Sequence, residues 1–232
     1  MLVLGFDFET TGVDTTKDDI IEYAFVLYEL SRKVPLILAN GMVQTGLELT
    51  SEITELTGIT AKDLEMYGQK KDVVAEVFKY FVENHDIKYL VSHNGSQFDL
   101  PLLERYLESK SPVPMIDTMT DLPFPTRMQT RKLSYIAAEA GFLNPFSHRA
   151  LFDVMTMLKI LETFNIDEVI KLANSKTLTV QAMTGFSEKE KAKEAKFHWD
   201  GDKKMWLKQI KECSLDAVSK EWGFKYRILE DV

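Results

Sequence analysis

The sequence predicts an α/β protein with a mixed β-sheet and helices on both of its faces. Three strand-like segments with short links open the chain, and later strand-like segments alternate with helical ones. This order is typical of such a sheet. The 232 residues, of which 45% are hydrophobic and 28% charged, suffice for one large domain or for a domain with an appendage.

The first three strands are predicted at residues 2–8, 20–30 and 35–44. The first is an apolar run that ends at the polar turn Glu9-Thr10-Thr11-Gly12. Residues 31–33 form a short link between the second and the third strand. Because short links join antiparallel strands, we expect an antiparallel meander.

The middle of the chain alternates between helical and strand-like segments. A longer amphipathic helix is predicted at residues 72–83, with Val73, Val77, Tyr80 and Phe81 as its apolar stripe. Shorter helices are predicted at residues 51–58 and 60–66. The segments that follow are strands at 87–92 and 115–118 and helices at 98–108, 132–140 and 150–164.

After residue 164 the pattern changes, and we place a boundary near residues 172–175. The expected domains are residues 1–172 and a small α+β accessory module at residues 173–232. In the module we predict strands at 177–183 and 224–229 and helices at 187–195 and 213–221. A hairpin of residues 197–199 and 206–210 is expected to turn at Asp200-Gly201.

Several classes of protein are excluded by composition. The single cysteine, Cys213, rules out an intramolecular disulfide framework and a cysteine-based zinc cluster. The N-terminus lacks the basic start and apolar run of a signal peptide, and no stretch approaches the roughly 20 apolar residues of a membrane span. We expect a cytoplasmic protein, or a phage protein acting in the host cytoplasm, without a membrane partner.

The formal net charge of −8 at first argues against a nucleic-acid partner, because phosphate binding usually leaves a basic footprint. The acidity is concentrated in residues 1–172, which hold 16 Lys and Arg against 26 Asp and Glu, whereas residues 173–232 hold 12 against 10. A nuclease that holds divalent cations tolerates an acidic body, since the metals meet the phosphate. An acidic enzyme of another class could show the same excess of Asp and Glu over Lys and Arg.

Asp7 and Glu9 lie at the end of the first predicted strand. Alternation along a strand puts both carboxylates on one side and Phe6 and Phe8 on the other. Two neighbouring carboxylates repel each other and lose hydration unless a cation joins them. The pair therefore indicates either a metal site or, taken alone, a solvated edge or a salt-bridge site.

Asp99, His148 and Asp153 are the other candidate site residues. Asp99 lies at a predicted helix start, where the helix dipole alone favours a carboxylate. Positions five apart on one helix point about 140° away from each other. His148 and Asp153 therefore converge only if His148 lies on the loop before the helix. A histidine near a helix start can also be purely structural.

Taken together, these residues are typical of a two-metal centre. Oxygen ligands without cysteine suit Mg²⁺ or Mn²⁺, and two such ions about 4 Å apart can clamp the attacking and leaving oxygens of a phosphodiester. A neighbouring histidine can take the proton from the attacking water.

Three motifs resemble the DEDDh (DnaQ-like) family of 3′→5′ exonucleases. They are Phe6-Asp7-Phe8-Glu9-Thr10-Thr11-Gly12, His93-Asn94-x-x-x-Phe98-Asp99 and His148-Arg149-Ala150-x-x-Asp153. Ile116-Asp117-Thr118 and Lys132-Leu133-Ser134 are similar to linking segments of that family, in the same order. The resemblance covers residues 1–165.

The resemblance implies a ribonuclease H-like fold with a five-stranded mixed sheet. It implies hydrolysis of the 3′-terminal phosphodiester to nucleoside 5′-monophosphates with two Mg²⁺ or Mn²⁺ ions. By that similarity Asp7 bridges both ions, Glu9 and Asp153 complete the site that carries the nucleophilic water, and Asp99 serves the other ion. His148 is the general base, and its H-x4-D spacing marks the histidine branch.

Four residues of the same motifs, close in sequence to the acidic ones, are candidate substrate-binding residues: Phe8, Thr10, Asn94 and Phe98. The resemblance implies that Thr10 or its backbone amide contacts the 3′ end. Phe8 and Phe98 can stack on a base, although Phe8 opposes the acidic face and is alternatively core. Asn94 either fixes its loop or touches substrate. Three basic residues either hold phosphate or form a solvated edge: Arg127, Arg131 and Lys132.

The accessory module carries an A-x4-F-x-W-D…K-x-W pattern between Ala192 and Trp206. It is similar to small modules appended to bacterial and phage DNA-processing proteins. Trp199, Trp206 and the lysines around them either stack bases and neutralise phosphates or, for the tryptophans, form the core of the module.

The expected function is exonuclease action on 3′ ends of single-stranded nucleic acid, with DNA favoured over RNA. An RNA-trimming enzyme stays open, because no readable residue reports on the 2′-hydroxyl. A non-catalytic nucleic-acid-binding or polymerase-tethered subunit is a second class, and a phosphoesterase of small molecules a third. A polymerase or a repair complex is the expected partner class.

Overall fold

The computed structural model describes residues 1–125, 128, 130–185 and 188–229. The chain forms two compact units, residues 1–169 and 170–232. Each unit has a hydrophobic core of its own.

The first unit is built on five strands: β1 (Leu2–Thr10), β2 (Ile20–Glu29), β3 (Val34–Met42), β4 (Ile87–Ser92) and β5 (Met115–Asp117). Their order in the sheet is β3-β2-β1-β4-β5. The strands β1, β2 and β3 pair antiparallel, whereas β4 and β5 run parallel to β1. The predicted mixed sheet with an antiparallel opening meander is confirmed.

Six helices belong to this unit in the described residues: α1 (Ser51–Thr57), α2 (Ala61–Tyr67), α3 (Asp72–Asn84), α4 (Asp99–Leu107), α5 (Leu133–Glu139) and α6 (Ala150–Leu161). A seventh, α7 (Ile166–Ala173), begins in the first unit and ends in the second. Sequence reasoning missed α7, a short helix just before the expected boundary. Its apolar residues Ile166, Val169, Ile170 and Ala173 recur at helical spacing, and that signal could have found it. No helix within the described ranges is both long and apolar enough to cross a lipid bilayer.

The face that α3 buries differs from the predicted stripe. The residues buried on this helix are Val74, Ala75, Phe78 and Phe81. Tyr80, which was expected to be buried, is 53% exposed, and Val77 is only partly buried. Adjacent apolar pairs allow two overlapping stripes in this sequence, and the one that buries Phe78 keeps the hydroxyl of Tyr80 in water, where it needs no partner within the core.

Helix α6 lies close against the central strand β1 because Gly5 has no side chain. A Cβ atom at Gly5 would lie 2.9 Å from Leu158 Cδ1 and 2.9 Å from Val154 Cγ1. We expect Gly5→Ala to lower the free energy of unfolding by about 1–3 kcal/mol, the usual cost of overpacking. Urea unfolding measures this, with Gly46→Ala as the control, since nothing lies within 4 Å of that added Cβ. An equal loss in both variants would contradict close packing at Gly5.

The second unit holds a four-stranded antiparallel sheet of β6 (Thr177–Ala182), β7 (His198–Asp200), β8 (Met205–Lys211) and β9 (Tyr226–Leu229), in the order β7-β8-β6-β9. Its helices are α8 (Lys189–Glu194) and α9 (Glu212–Ser219). The predicted hairpin is present as β7 and β8, joined by a turn at residues 201–204. Ser187, the expected first residue of α8, lies outside the described residues.

Candidate active site

Strand β1 presents Asp7 and Glu9 to helix α6. Phe6 and Phe8 point to the opposite face, where both belong to the buried core. Gly5 faces Val154 and Leu158 of α6, and residues two and four positions further along a strand share its face. Glu9 is buried and Asp7 partly so. The expected separation of the two carboxylates from the two rings is confirmed.

Asp99 is the first residue of α4 and is 3% exposed. Its Oδ1 accepts a hydrogen bond from the Phe8 backbone N–H at 3.2 Å, and its Oδ2 accepts one from Ser92 Oγ at 2.9 Å. The bond to Phe8 ties the start of α4 to β1 between Asp7 and Glu9. A side chain at Gly95 would collide with Ser92, so this glycine leaves room for the Ser92 hydroxyl to meet Asp99.

Asp153 lies in the first turn of α6, and His148 lies on the loop before that helix. The carboxylate of Asp153 accepts the backbone N–H of His148 at 2.9 Å and the side-chain amide of Asn144 at 2.5 Å. His148 has a left-handed backbone with φ of 61°, an uncommon conformation for a residue other than glycine. The expectation that His148 precedes the helix is confirmed.

Glu9, His148 and Asp153 meet at one point. One ligand atom from each, a carboxylate oxygen or an imidazole nitrogen, lies within 4.8 Å of the other two. His148 is exposed, so it stands at the solvent side of a group whose carboxylates are more deeply set. Such a group can bind a divalent cation or pass a proton from water to the ring.

Burial and neighbouring carboxylates raise the pKa values of the four acidic side chains. Burial, followed by the charges of Asp99, Glu9 and Asp153, raises the pKa of Asp7 well above its ordinary value. Burial and the charges of Asp153 and Glu22 raise the pKa of Glu9 to about 8. Burial is also the largest cause that raises the pKa of Asp99 to about 7 and that of Asp153 to about 6. The folded chain therefore brings several carboxyl groups together where burial disfavours their charged forms.

This donor set fits a divalent metal ion. Carboxylate oxygens with a neighbouring imidazole suit hard cations such as Mg²⁺ and Mn²⁺. The guanidinium of Arg149 lowers the pKa of Glu9 but is engaged by Glu22. A bound divalent ion would supply the missing positive charge and reverse the pKa shifts.

Glu22 on β2 is a site residue that sequence reasoning missed. It pairs with Glu9 across the strands, is 3% exposed, and accepts hydrogen bonds from Arg149 Nη2 at 2.7 Å and Nε at 3.1 Å. It also accepts the backbone N–H of Ala150 at 2.9 Å, at the start of α6. Glu22 thus holds the junction between His148 and the helix that carries Asp153. Its signal was a lone acid inside the apolar run of residues 20–28.

Asp117 at the end of β5 organises the loop that leads to Asp99. Its carboxylate accepts the backbone N–H groups of Asn94 at 2.8 Å, Ser96 at 3.0 Å and Met119 at 2.9 Å. It also accepts the hydroxyl of Ser96 at 2.6 Å. Sequence reasoning assigned Asp117 no role, although an acid that ends a buried strand indicates nearby N–H donors.

The four candidate substrate-binding residues lie in different environments. Phe8 is 4% exposed, with its ring edge-to-face against Phe6 and Phe25, so we assign it to the core rather than to substrate. Phe98 is partly buried against the same core. The hydroxyl of Thr10 donates to the Gly12 carbonyl at 2.5 Å. The Asn94 side chain is exposed, while its left-handed backbone, φ 64°, is held by Asp117.

Of the three basic residues named as candidate phosphate contacts, Arg131 has an engaged side chain. Arg131 donates to a backbone carbonyl at 3.0 Å and lies 5.2 Å from the ring centre of Phe124. Its own carbonyl lies 2.9 Å from Nε2 of His93, so Arg131 helps to build the loop. Lys132 is exposed, and Arg127 lies outside the described residues.

The raised pKa values predict how the metal-free protein responds to pH. A carboxyl with a pKa of about 8 in the folded chain, against 4.5 for an unperturbed glutamate, binds its proton more tightly in the folded state. The free energy of unfolding therefore falls as pH rises from about 4.5 towards 8. We expect lower stability at pH 9 than at pH 7 in EDTA, and a smaller fall in Glu9→Gln. Urea unfolding at both pH values measures this, and an equal fall in both proteins would contradict it.

A sequence model of the RNase T exonuclease family matches residues 4–161. The PolC-type DNA polymerase III of Thermotoga petrophila is 30% identical over 163 residues, which make up 68% of this chain and 11% of that protein. The enzyme of the same name from Mycoplasma pneumoniae is 27% identical over 166 residues, with the same coverage of 68% and 11%. This chain therefore spans about a tenth of the length of these curated relatives.

Solved structures of exonuclease I have the same fold. Escherichia coli exonuclease I in complex with a dA16 oligonucleotide gives a TM-score of 0.63 at 14% identity, over 80% of this chain and 48% of that one. Another exonuclease I structure gives 0.69 at 11% identity, over 97% and 68%. The expected ribonuclease H-like exonuclease fold is confirmed. The family match over residues 4–161, which contain the carboxylates and His148, shows that this chain belongs to the RNase T-type exonucleases, the DnaQ-like family.

Proposed function

We propose that the chain is a divalent-metal-dependent 3′→5′ exonuclease that releases nucleoside 5′-monophosphates from single-stranded DNA. The observation that carries this proposal is the cluster of Asp7, Glu9, Asp99 and Asp153, whose pKa values are all raised, with His148 at its exposed side. Keeping four such carboxylates together is costly for stability alone. Perturbed carboxyl groups of this kind mark functional sites.

The four carboxylates would hold two Mg²⁺ or Mn²⁺ ions. When bound, the ions stabilise the negative charge on the attacking and leaving oxygens of a phosphodiester. An imidazole nitrogen of His148 accepts the proton of the attacking water, as a general base does. The Asp153 carboxylate orients this histidine through the His148 backbone N–H.

The relatives favour DNA as the polymer. The curated relatives are PolC-type DNA polymerases, and the exonuclease I structures hold dA16 and dT13 oligonucleotides. Another exonuclease I structure is a complex with single-stranded DNA, which favours single strands as the substrate proposed here. An exoribonuclease is the alternative, because none of the contacts described above distinguishes a 2′-hydroxyl.

A catalytic role is favoured over a purely tethering one. A subunit that only held nucleic acid or a polymerase would gain nothing from retaining Glu9 and Asp153 within ligand distance of His148. The PolC-type relatives make a replicative polymerase the proposed partner class.

Polarity and product identity test the proposal. Matched DNA and RNA 12-mers, labelled at either the 3′ or the 5′ end, are digested with Mg²⁺ or Mn²⁺. We expect the 3′ label to leave at once as a mononucleotide, while the 5′ label passes through a ladder of shortening products, and we expect DNA to be cut faster. Release of the 5′ label first would contradict the polarity, and faster digestion of RNA would favour the alternative.

A further inference from the structure

We infer that the second unit carries a stacking site for single-stranded DNA on the indole of Trp199. The inference rests on the proposed function only in its choice of ligand, because it concerns a surface remote in sequence from the carboxylates. All three tryptophans of the chain, Trp199, Trp206 and Trp222, belong to this unit.

The three tryptophans have different environments. Trp222 is 5% exposed and lies in the core with Phe197 and Phe224. Trp206 is partly buried against the same core. Trp199 is 51% exposed, although a large aromatic side chain gains most from burial. Trp222 therefore holds the unit together, and Trp199 leaves half of its surface to solvent.

The indole of Trp199 packs against the indole of Trp206. Trp199 and Trp206 are a cross-strand pair of β7 and β8, with ring centres 5.5 Å apart and an interplanar angle of 59°. Because Trp206 is anchored in the core, it limits the rotamers open to Trp199. Strand β7 forms one edge of the sheet. A preorganised ring at a sheet edge suits a flat ligand such as a base.

Two lysines on the turn beside this ring can meet a phosphate backbone. Residues 188–212 hold eight lysines against six acids, a net charge of +2 inside a chain whose net charge is −8. Lys203 and Lys204 are exposed on the turn between β7 and β8, next to Asp202, and the pair of Asp200 and Met205 separates this turn from the tryptophans. Phosphate neutralisation by lysine and stacking on an aromatic ring are the two components of single-strand binding without sequence preference.

The face therefore fits an unpaired, anionic polymer. A duplex keeps its bases stacked inside, so it offers phosphates to the lysines but no base to Trp199. We expect little dependence on base identity, since every base presents a π-face.

Binding is measured with the full chain in EDTA, so that no hydrolysis occurs, by fluorescence polarisation of a labelled dT12 oligonucleotide. Trp199→Ala is expected to weaken binding about 5- to 150-fold, the loss of one stacked base, while Trp199→Phe keeps most of the affinity. The matched control is Ile228→Ala, an apolar residue 48% exposed on β9 at the other edge of the same sheet. This control should bind as the wild type does.

The lysines of the turn and the ring of Trp199 are tested separately. Lys203→Ala and Lys204→Ala should each lower the slope of log affinity against log salt concentration by about 0.7. Unchanged dT12 binding by Trp199→Ala, or equal Trp199-dependent affinity for a duplex of the same length, would overturn the stacking site. Mononucleotide release with Mg²⁺ is scored separately, so a failed exonuclease proposal and a failed stacking site give different results.

Discussion

Asp7→Asn is expected to reduce hydrolysis of a single-stranded oligonucleotide by about 10³-fold or more. The substitution keeps the size of the side chain and removes the charge of one proposed metal ligand. A metal ion supplies several kcal/mol of transition-state stabilisation in phosphodiester hydrolysis, and each 1.36 kcal/mol corresponds to a factor of ten in rate. Initial rates with saturating Mg²⁺ measure the effect.

The same substitution is expected to stabilise the metal-free protein. Burial and four neighbouring carboxylates raise the pKa of Asp7 well above its ordinary value, so its charge opposes folding. Asn removes that charge, and a higher urea midpoint in EDTA should result. The control is Asp86→Asn, because Asp86 is an exposed partner of Lys88 and should change neither property. An inactive but destabilised Asp7→Asn protein would indicate misfolding instead of a lost ligand.

Glu22→Ala is expected to lower activity about 10- to 100-fold although Glu22 is not among the proposed metal ligands. The carboxylate holds the Ala150 backbone N–H at 2.9 Å and the Arg149 guanidinium at 2.7 Å. Its loss frees the segment between His148 and Asp153. Removing a residue that orients ligands usually costs this factor. Stability should fall by only about 1–3 kcal/mol, because Arg149 is partly exposed and can turn to water.

Glu22→Gln separates the geometric role of Glu22 from its charge. The amide oxygen can still accept the Ala150 N–H, so much of the geometry is retained. The negative charge of Glu22, which raises the pKa values of Glu9, Asp7 and Asp153, is absent. We therefore expect the acid limb of the pH–rate profile to move to lower pH in Glu22→Gln. An acid limb at the same pH as in the wild type would show that the charge of Glu22 does not affect the pKa values of these carboxyl groups.

Much of the fold was predictable because local patterns agreed with the final structure. The apolar run up to Phe8 is a central strand, and period-two alternation placed Asp7 and Glu9 on the face opposite the aromatic core. The five-residue offset between His148 and Asp153 allowed the two to converge only with His148 on the loop before the helix, and the structure places it there, before α6. In both cases backbone geometry alone limits where the side chains can point.

What the sequence did not reveal depends on contacts between distant segments. Glu22 meets Arg149 across 127 positions of the chain, and Asp117 meets Asn94 across 23, and no local period encodes either pair. Phe8 was a candidate for stacking until the packing of Phe6 and Phe25 around it placed its ring in the core. The buried face of α3 was ambiguous for a different reason, since two overlapping stripes were both apolar.

The measurement that tests the central claim most directly is a metal titration of oligonucleotide hydrolysis, read out as mononucleotide released from the 3′ end. The wild-type chain should be inactive in EDTA and gain activity with Mg²⁺ or Mn²⁺, while Asp7→Asn stays inactive at every metal concentration. Hydrolysis in EDTA, or equal rates for the wild type and Asp7→Asn, would contradict a metal-dependent exonuclease centred on these carboxylates.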